Sequence, residues 1–246
     1  WVDGKINIGN KGFLYEDAIY ATLREFGNIV PPGFSPAGAD NTAPDLKIYY
    51  SDPNRGYLRD TYNVEIKLDT SADYGQSGLS YDMAKKRWKL SGANTKQSDV
   101  MRQILKGMGA EDAVNEAWGK AGAPRKFSLP SSALTLSDIE RDVANFPSTY
   151  IKLGSLSPFF DFYAAKKIYY LQIGKGYGMY YMKADPANLK QLGVKRFDGT
   201  LKLRIRTKTS KSNPSSYRFS TALLVDRNPT RSNFNLETID NYQLLG

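Results

Sequence analysis

A mixed α/β (α+β) fold with a basic β-rich region toward the C-terminus is predicted by three features of the sequence. Residues 12 to 26 repeat apolar side chains at helical spacing, residues 46–50 and 61–68 read as strands around a turn, and four more strand-like stretches follow from Lys167. With 246 residues, 41% of them hydrophobic and 24% charged, the chain has the length and composition of a folded domain with a substantial core. A single domain is expected, with a basic β-rich elaboration over about residues 175–246.

The first helix, in KGFLYEDAIYATLREF, carries Tyr15, Ile19, Thr22 and Phe26 in one stripe, with Gly27 placed to cap its C-terminus. Ile19, Tyr20 and Leu23 lie three, four and seven residues after Glu16, so Glu16 borders the buried face while Asp17 falls on the solvated side. A Pro/Gly-rich loop over residues 31–44 leads into a hairpin in which LKIYY and TYNVEIKL flank SDPNRGYLRD. In its second strand Val64, Ile66 and Leu68 point one way and Glu65, Lys67 and Asp69 the other.

The polar stretch over residues 69–97 is expected to be a loop with short strands. Residues 97–118 read as one helix, with Val100, Ile104, Met108 and Val114 loosely periodic, and Ser137-Asp138-Ile139-Glu140 resembles a capping box for a helix that runs to about Phe146. KIYYLQIG, GMYYMKA, LKLRIRTKT and YRFSTALLVD are the later strands, and the glycine-rich residues 174–178 between the first two read as a hairpin turn rather than a phosphate cradle. The tyrosine pairs Tyr49-Tyr50, Tyr169-Tyr170 and Tyr180-Tyr181 read as half-buried strand residues.

The chain has no histidine and no cysteine. That excludes Ser-His-Asp and Cys-His triads, His/Cys zinc sites and a histidine general base, and leaves carboxylates, lysine, hydroxyls or an oxygen-bound metal to carry any chemistry. The net charge of +9 favours an anionic partner. Over residues 195–231 ten basic residues stand against two acidic ones, a local net of +8. Lys202, Arg204, Arg206 and Lys208 alternate with Leu203, Ile205 and Thr207, so a strand there presents four cations on one face. With no carboxylate interleaved they repel one another unless an anion binds, which favours a phosphate-backbone track that Lys211 and Arg218 extend. Lys85, Lys86 and Arg87 lie among Tyr74, Tyr81 and Trp88, aromatics that either stack on bases or anchor their loop to the core. No apolar run approaches the roughly 18 residues a membrane span needs, and no membrane partner is expected.

Three acidic positions and one lysine form the candidate site: Glu16 on the first helix, Asp45 at the mouth of the hairpin, and Glu65 with Lys67 on the next strand. Asp45 opens one strand and Glu65 and Lys67 share a face of its partner, so two carboxylates come together and repel each other unless a divalent cation lies between them. A lysine beside them can hold a water near that metal, which is what metal-assisted phosphodiester hydrolysis asks for.

Pro44-Asp45, nineteen intervening residues and Glu65-Ile66-Lys67 resemble the PD-(D/E)xK motif of the restriction-endonuclease-like nuclease superfamily. The resemblance covers residues 12 to 70 and reaches Gly174 if KIYYLQIG is the later core strand. It implies a restriction-endonuclease-like core over about residues 12–174, a mixed central β-sheet flanked by helices, with Asp45, Glu65 and the carbonyl of Ile66 binding Mg²⁺, for which Mn²⁺ substitutes. It also implies that Lys67 positions or activates the attacking water and that Glu16 supports the metal site. Gln76 and Tyr81 stand one residue too far apart for the Gln-x-x-x-Tyr element of exonuclease-like branches, so the chain is not assigned there. The expected protein is a Mg²⁺-dependent endonuclease acting on double-stranded DNA, in the cytoplasm with access to that DNA. Double-strand cutters of this superfamily commonly pair two active sites in a homodimer. The alternatives are a non-catalytic nucleic-acid-binding protein that uses the basic C-terminal sheet, and an interaction module for an acidic protein.

Overall fold

The computed structural model describes residues 11–26, 29–36, 43–55, 59–92, 96–153, 156–209 and 217–245. In chain order the first elements are helix α1 (Lys11–Glu25) and strands β1 (Leu46–Ser51), β2 (Arg59–Lys67), β3 (Gly75–Asp82) and β4 (Arg87–Ser91). Helices α2 (Lys96–Gly107), α3 (Ala110–Trp118), α4 (Arg125–Ser128) and α5 (Leu136–Asn145) follow, then β5 (Thr149–Lys152) and α6 (Ser157–Ala165). The last are β6 (Ile168–Ile173), β7 (Gly178–Tyr181), β8 (Lys195–Arg196), β9 (Thr200–Thr209), β10 (Tyr217–Arg227) and α7 (Ile239–Tyr242). The expected mixture of helices and sheet is present.

The contacts divide this chain into two compact units, and not at residue 174. The first is built from residues 1–72, 160–199 and 227–246, the second from 73–159 and 200–226. β9 and β10 belong to the second unit because β10 pairs with β3 from the middle of the chain, Phe219 opposite Leu79 and Ala222 opposite Gln76.

The first unit holds a five-stranded mixed sheet in the order β1-β2-β6-β7-β8. β1 and β2 are the expected hairpin, with Leu46 opposite Val64 and Ser51 opposite Arg59. β6 lies parallel to β2. Parallel neighbours need a crossover, and α6 ends just before β6 on the return path. Val64 and Ile66 join Ile19 and Leu23 of α1, Leu46, Ile48, Tyr170 and Met179 in one buried cluster, so the expected alternation of β2 and the expected inner face of α1 are both present. Phe26, at the end of the predicted stripe, is exposed. Gly27 lies outside the described residues.

Residues 174–177 turn between β6 and β7 as expected, and their amides are taken internally: Glu237 accepts from Lys175 and Gly176 N–H at 3.0 and 2.9 Å. Gly174 is required by crowding, since a Cβ there would run into the Leu68 carbonyl and stand 2.8 Å from the Tyr15 ring. Tyr50, Tyr170 and Tyr180 are buried while their neighbours Tyr49, Tyr169 and Tyr181 are half-buried, as strand alternation requires.

The second unit holds the sheet β4-β3-β10-β9-β5. The stretch expected to be mostly loop is the β3–β4 hairpin, with Tyr81 opposite Trp88. Tyr74, Tyr81 and Trp88 are all buried, so they anchor the core and do not form a base-stacking surface. Lys85, Lys86 and Arg87 sit exposed at the turn, where Lys86 takes φ +49° and Arg87 reaches Asp112 at 3.5 Å.

The helix expected over residues 97–118 is two, α2 and α3, because Gly109 between them adopts φ +79°. The capping box falls two residues earlier than expected. Thr135 caps α5 and exchanges hydrogen bonds with Asp138, leaving Ser137 inside the helix. Asp142 on α5 is buried and satisfied by Arg125 N–H, Lys126 N–H and the Tyr217 hydroxyl at 2.8, 3.0 and 2.7 Å, which fixes α4.

Candidate active site in the first unit

Asp45 lies one residue before β1, in line with Glu65 in the register that sets Leu46 opposite Val64. Its Oδ2 accepts the Ile66 N–H at 2.8 Å, so a side chain stands where the next backbone acceptor of β1 would be. Adjacent residues of a strand turn their backbone groups to opposite sides. Lys67 C=O accepts from Gly174 N–H on the β6 side at 2.9 Å, and Ile66 N–H and C=O therefore both face the Asp45 side, beyond the start of β1. That places the Ile66 carbonyl next to Asp45 without a ladder partner to claim it.

On the other face of β2 from the Val64 and Ile66 core, Glu65 is 8% exposed. Its Oε1 accepts from Lys67 Nζ at 2.7 Å and from the Tyr163 hydroxyl at 3.0 Å. Asp45 Oδ1 and Glu65 Oε2 have no hydrogen-bonding partner among the described residues. Burial pushes the Asp45 carboxyl up to about 6, and the Glu65 charge beside it adds to the rise, while Lys67, the Ile66 N–H and Lys166 pull the other way. Burial disfavours the Lys67 cation, but Glu65 and Asp45 outweigh it and hold its pKa above the ordinary lysine value. Glu16 is pushed to about 8, first by burial and then by the charge of Asp45. Lys67 is hydrogen-bonded to Glu65, and Lys166 acts on Asp45 through space.

Asp45, Glu65, Ile66 and Lys67 are thus brought together, while Glu16 acts on them through space and makes no hydrogen bond or ion pair with them. Among the described residues no three acidic side chains converge into a metal-holding group. Mg²⁺ ordinarily takes one or two carboxylates and fills its shell with waters and phosphate oxygens. Two carboxylates with free oxygens among the described residues and an adjacent carbonyl fit that pattern.

Sequence reasoning missed Tyr163 and Lys166. α6 is too aromatic to show an amphipathic pattern, but Phe159, Tyr163 and Lys166 have the i, i+4, i+7 spacing of one helix face, which was the available signal. Tyr163→Phe is expected to cost about 1–3 kcal/mol, because a buried carboxylate loses a hydrogen bond. Urea unfolding of the two proteins at neutral pH measures it.

The raised carboxyls also set a pH dependence. Native Asp45 and Glu16 bind their protons more tightly than ordinary carboxyls, so their favourable contribution is complete below about pH 4 and is lost as pH rises through about 6 and then about 8. In EDTA, stability is expected to fall on the order of 1 kcal/mol across that window after allowance for solvent screening. Asp45→Asn is expected to flatten the lower step, and if the two carboxylates take Mg²⁺ the added cation is expected to restore stability at pH 8. Thermal melts across pH, with and without Mg²⁺, check both.

The basic strand is partly as expected. Leu201, Leu203 and Ile205 are buried and Lys202, Arg204, Arg206 and Lys208 point away from them. The missing counter-charges are supplied from elsewhere in the fold, however. Asp226 lies 3.3 Å from Lys202 and Asp73 lies 3.1 Å from Arg204, so the four cations are not an unbroken positive track. Arg218 is exposed on β10, and Lys211 lies outside the described residues.

No family model, no curated protein and no solved structure matches the chain. No helix among the described residues is long and apolar enough to cross a membrane.

Proposed function

We propose that this protein is a Mg²⁺-dependent endonuclease that hydrolyses phosphodiester bonds of double-stranded DNA at a PD-(D/E)xK-type site. The observation that carries the reading is the convergence of Asp45, Glu65 and Lys67 across β1 and β2, with both carboxylates retaining a free oxygen. The parallel placement of β6 beside β2 supports a restriction-endonuclease-like core, since KIYYLQIG then serves as its later strand.

Asp45, Glu65 and the Ile66 carbonyl would hold Mg²⁺, with Mn²⁺ able to replace it, and the cation would polarise the phosphoryl oxygen and lower the pKa of the attacking water. Lys67 keeps its proton, because its neighbours hold its pKa up. Its part is to donate hydrogen bonds, orienting the water and offsetting charge on the phosphate, rather than to remove a proton. Tyr163 fixes the rotamer of Glu65 from α6. Glu16 supports the site as a third acidic group, at a distance. Cutting both strands calls for two such sites, and hence a homodimer.

The test is incubation with supercoiled, linear and single-stranded DNA in Mg²⁺, Mn²⁺ or EDTA. Nicked and linear products from supercoiled DNA, dependent on the metal, are expected. Undiminished cutting in EDTA rejects the reading, and so does DNA left intact in both metals.

A further inference from the structure

The cationic face of β9 divides into two halves. Lys202 and Arg204 are matched by Asp226 and Asp73. Arg206 and Lys208 have no such match among the described residues, and they line a 180 Å³ cleft with Arg218 from β10. Its other walls are small and polar: Ser220 of β10 lies opposite Gly78 of β3, and Gly78 lies opposite Ser91 of β4. Gly78 keeps that floor open, for a Cβ there would stand 2.9 Å from Ser91 Oγ and 3.1 Å from its carbonyl. Arg206 Nε is buried without a hydrogen-bonding partner. A guanidinium whose charge is left unmatched in a partly buried place is costly, and an oxyanion in the cleft would offset that charge. Three cations around hydroxyls and a glycine floor, with no carboxylate among the lining residues, are suited to a tetrahedral dianion or a phosphodiester rather than to a carboxylate or an apolar ligand.

We propose that Arg206, Lys208 and Arg218 form a single-phosphate pocket on the second unit's sheet. It is a discrete site for one phosphate group, and it takes the place of the continuous four-cation track that the sequence suggests. It stands on these residues alone and does not require the nuclease reading. The phosphate belongs either to a nucleic-acid backbone or to a free anion.

The experiment measures binding of a short labelled DNA duplex in EDTA over a range of NaCl, with unfolding followed by circular dichroism. Arg206→Gln and Arg218→Gln are each expected to reduce the slope of log affinity against log salt by about 1, and the double variant by about 1 rather than about 2, since both groups serve one phosphate. Lys202→Gln, equal in charge change, should alter the slope by less. In a second arm, inorganic phosphate is compared with chloride at constant ionic strength. A phosphate-dependent rise in melting temperature that the double variant lacks, with duplex binding unchanged, identifies a free phosphate as the ligand. A nucleic-acid phosphate is identified by the non-additive duplex result. Additive losses of about 2, equal losses at Lys202, or no change in either arm overturns the pocket. Because the binding arm contains no Mg²⁺, loss of cleavage by the wild-type protein in a separate assay would reject the nuclease reading without touching this one.

Discussion

On the proposed nuclease reading, Lys67→Ala is expected to lower Mg²⁺-dependent DNA cleavage on the order of 10³-fold or more, because it would remove a preorganised cation at the developing charge. The lysine is well held for that role: 2.7 Å from Glu65 Oε1, with its side chain 16% exposed and its charge reinforced by Glu65 and Asp45. Asp45→Asn is the companion substitution. Its amide oxygen can still accept the Ile66 N–H, so the local backbone bond is kept while the charge that would hold the cation is lost. Both variants should melt cooperatively and bind DNA in EDTA much as the wild type does, since neither is part of the basic face. Cleavage at wild-type rate by both would show that these residues only brace the hairpin. Loss of binding in step with cleavage would point to a damaged fold instead.

Trp88→Ala is expected to destabilise the second unit by about 3–5 kcal/mol, as truncation of a large buried aromatic does when the cavity cannot collapse. Trp88 is fully buried, and the rings of Phe219, Trp118, Phe146 and Tyr81 lie 4.9, 5.1, 5.2 and 5.5 Å from its own, centroid to centroid. Its backbone is also tied to α3, since Asn115 accepts its N–H at 2.7 Å and donates to its carbonyl at 2.9 Å. The indole Nε1 has no partner among the described residues, so Trp88→Phe should cost much less, the smaller ring giving up volume but also removing an unsatisfied buried donor. Urea midpoints for the three proteins provide the comparison. A loss below about 1 kcal/mol for alanine would show that the aromatic cluster is not the core of this unit.

The hairpin and the grouping of Glu65 and Lys67 on one side of it were legible in the sequence because strand chemistry is local. Alternation through Val64, Glu65, Ile66 and Lys67 dictates which side chains share a face, and proline with aspartate marks where β1 begins. The inner face of α1 and the strands after Lys167 were legible for the same reason. The break between α2 and α3 was less so, because it depends on one glycine taking a positive φ, which spacing alone does not reveal. Tyr74, Tyr81 and Trp88 could not be assigned from sequence, since burial is decided by what the rest of the chain lays over them.

The sequence by itself determined that, without histidine or cysteine, any hydrolytic site must use carboxylates, lysine, hydroxyls or an oxygen-bound metal, and that Glu65 and Lys67 share one side of a strand. Only the tertiary structure decided what those charges meet. Asp45 reaches Ile66 across the hairpin, and Tyr163 comes to Glu65 from nearly a hundred residues away. The basic strand, uniform in sequence, is split because Asp73 and Asp226 neutralise one half and leave Arg206, Lys208 and Arg218 unmatched. Electrostatic pairing acts through space over a few ångströms, and sequence distance does not encode that separation.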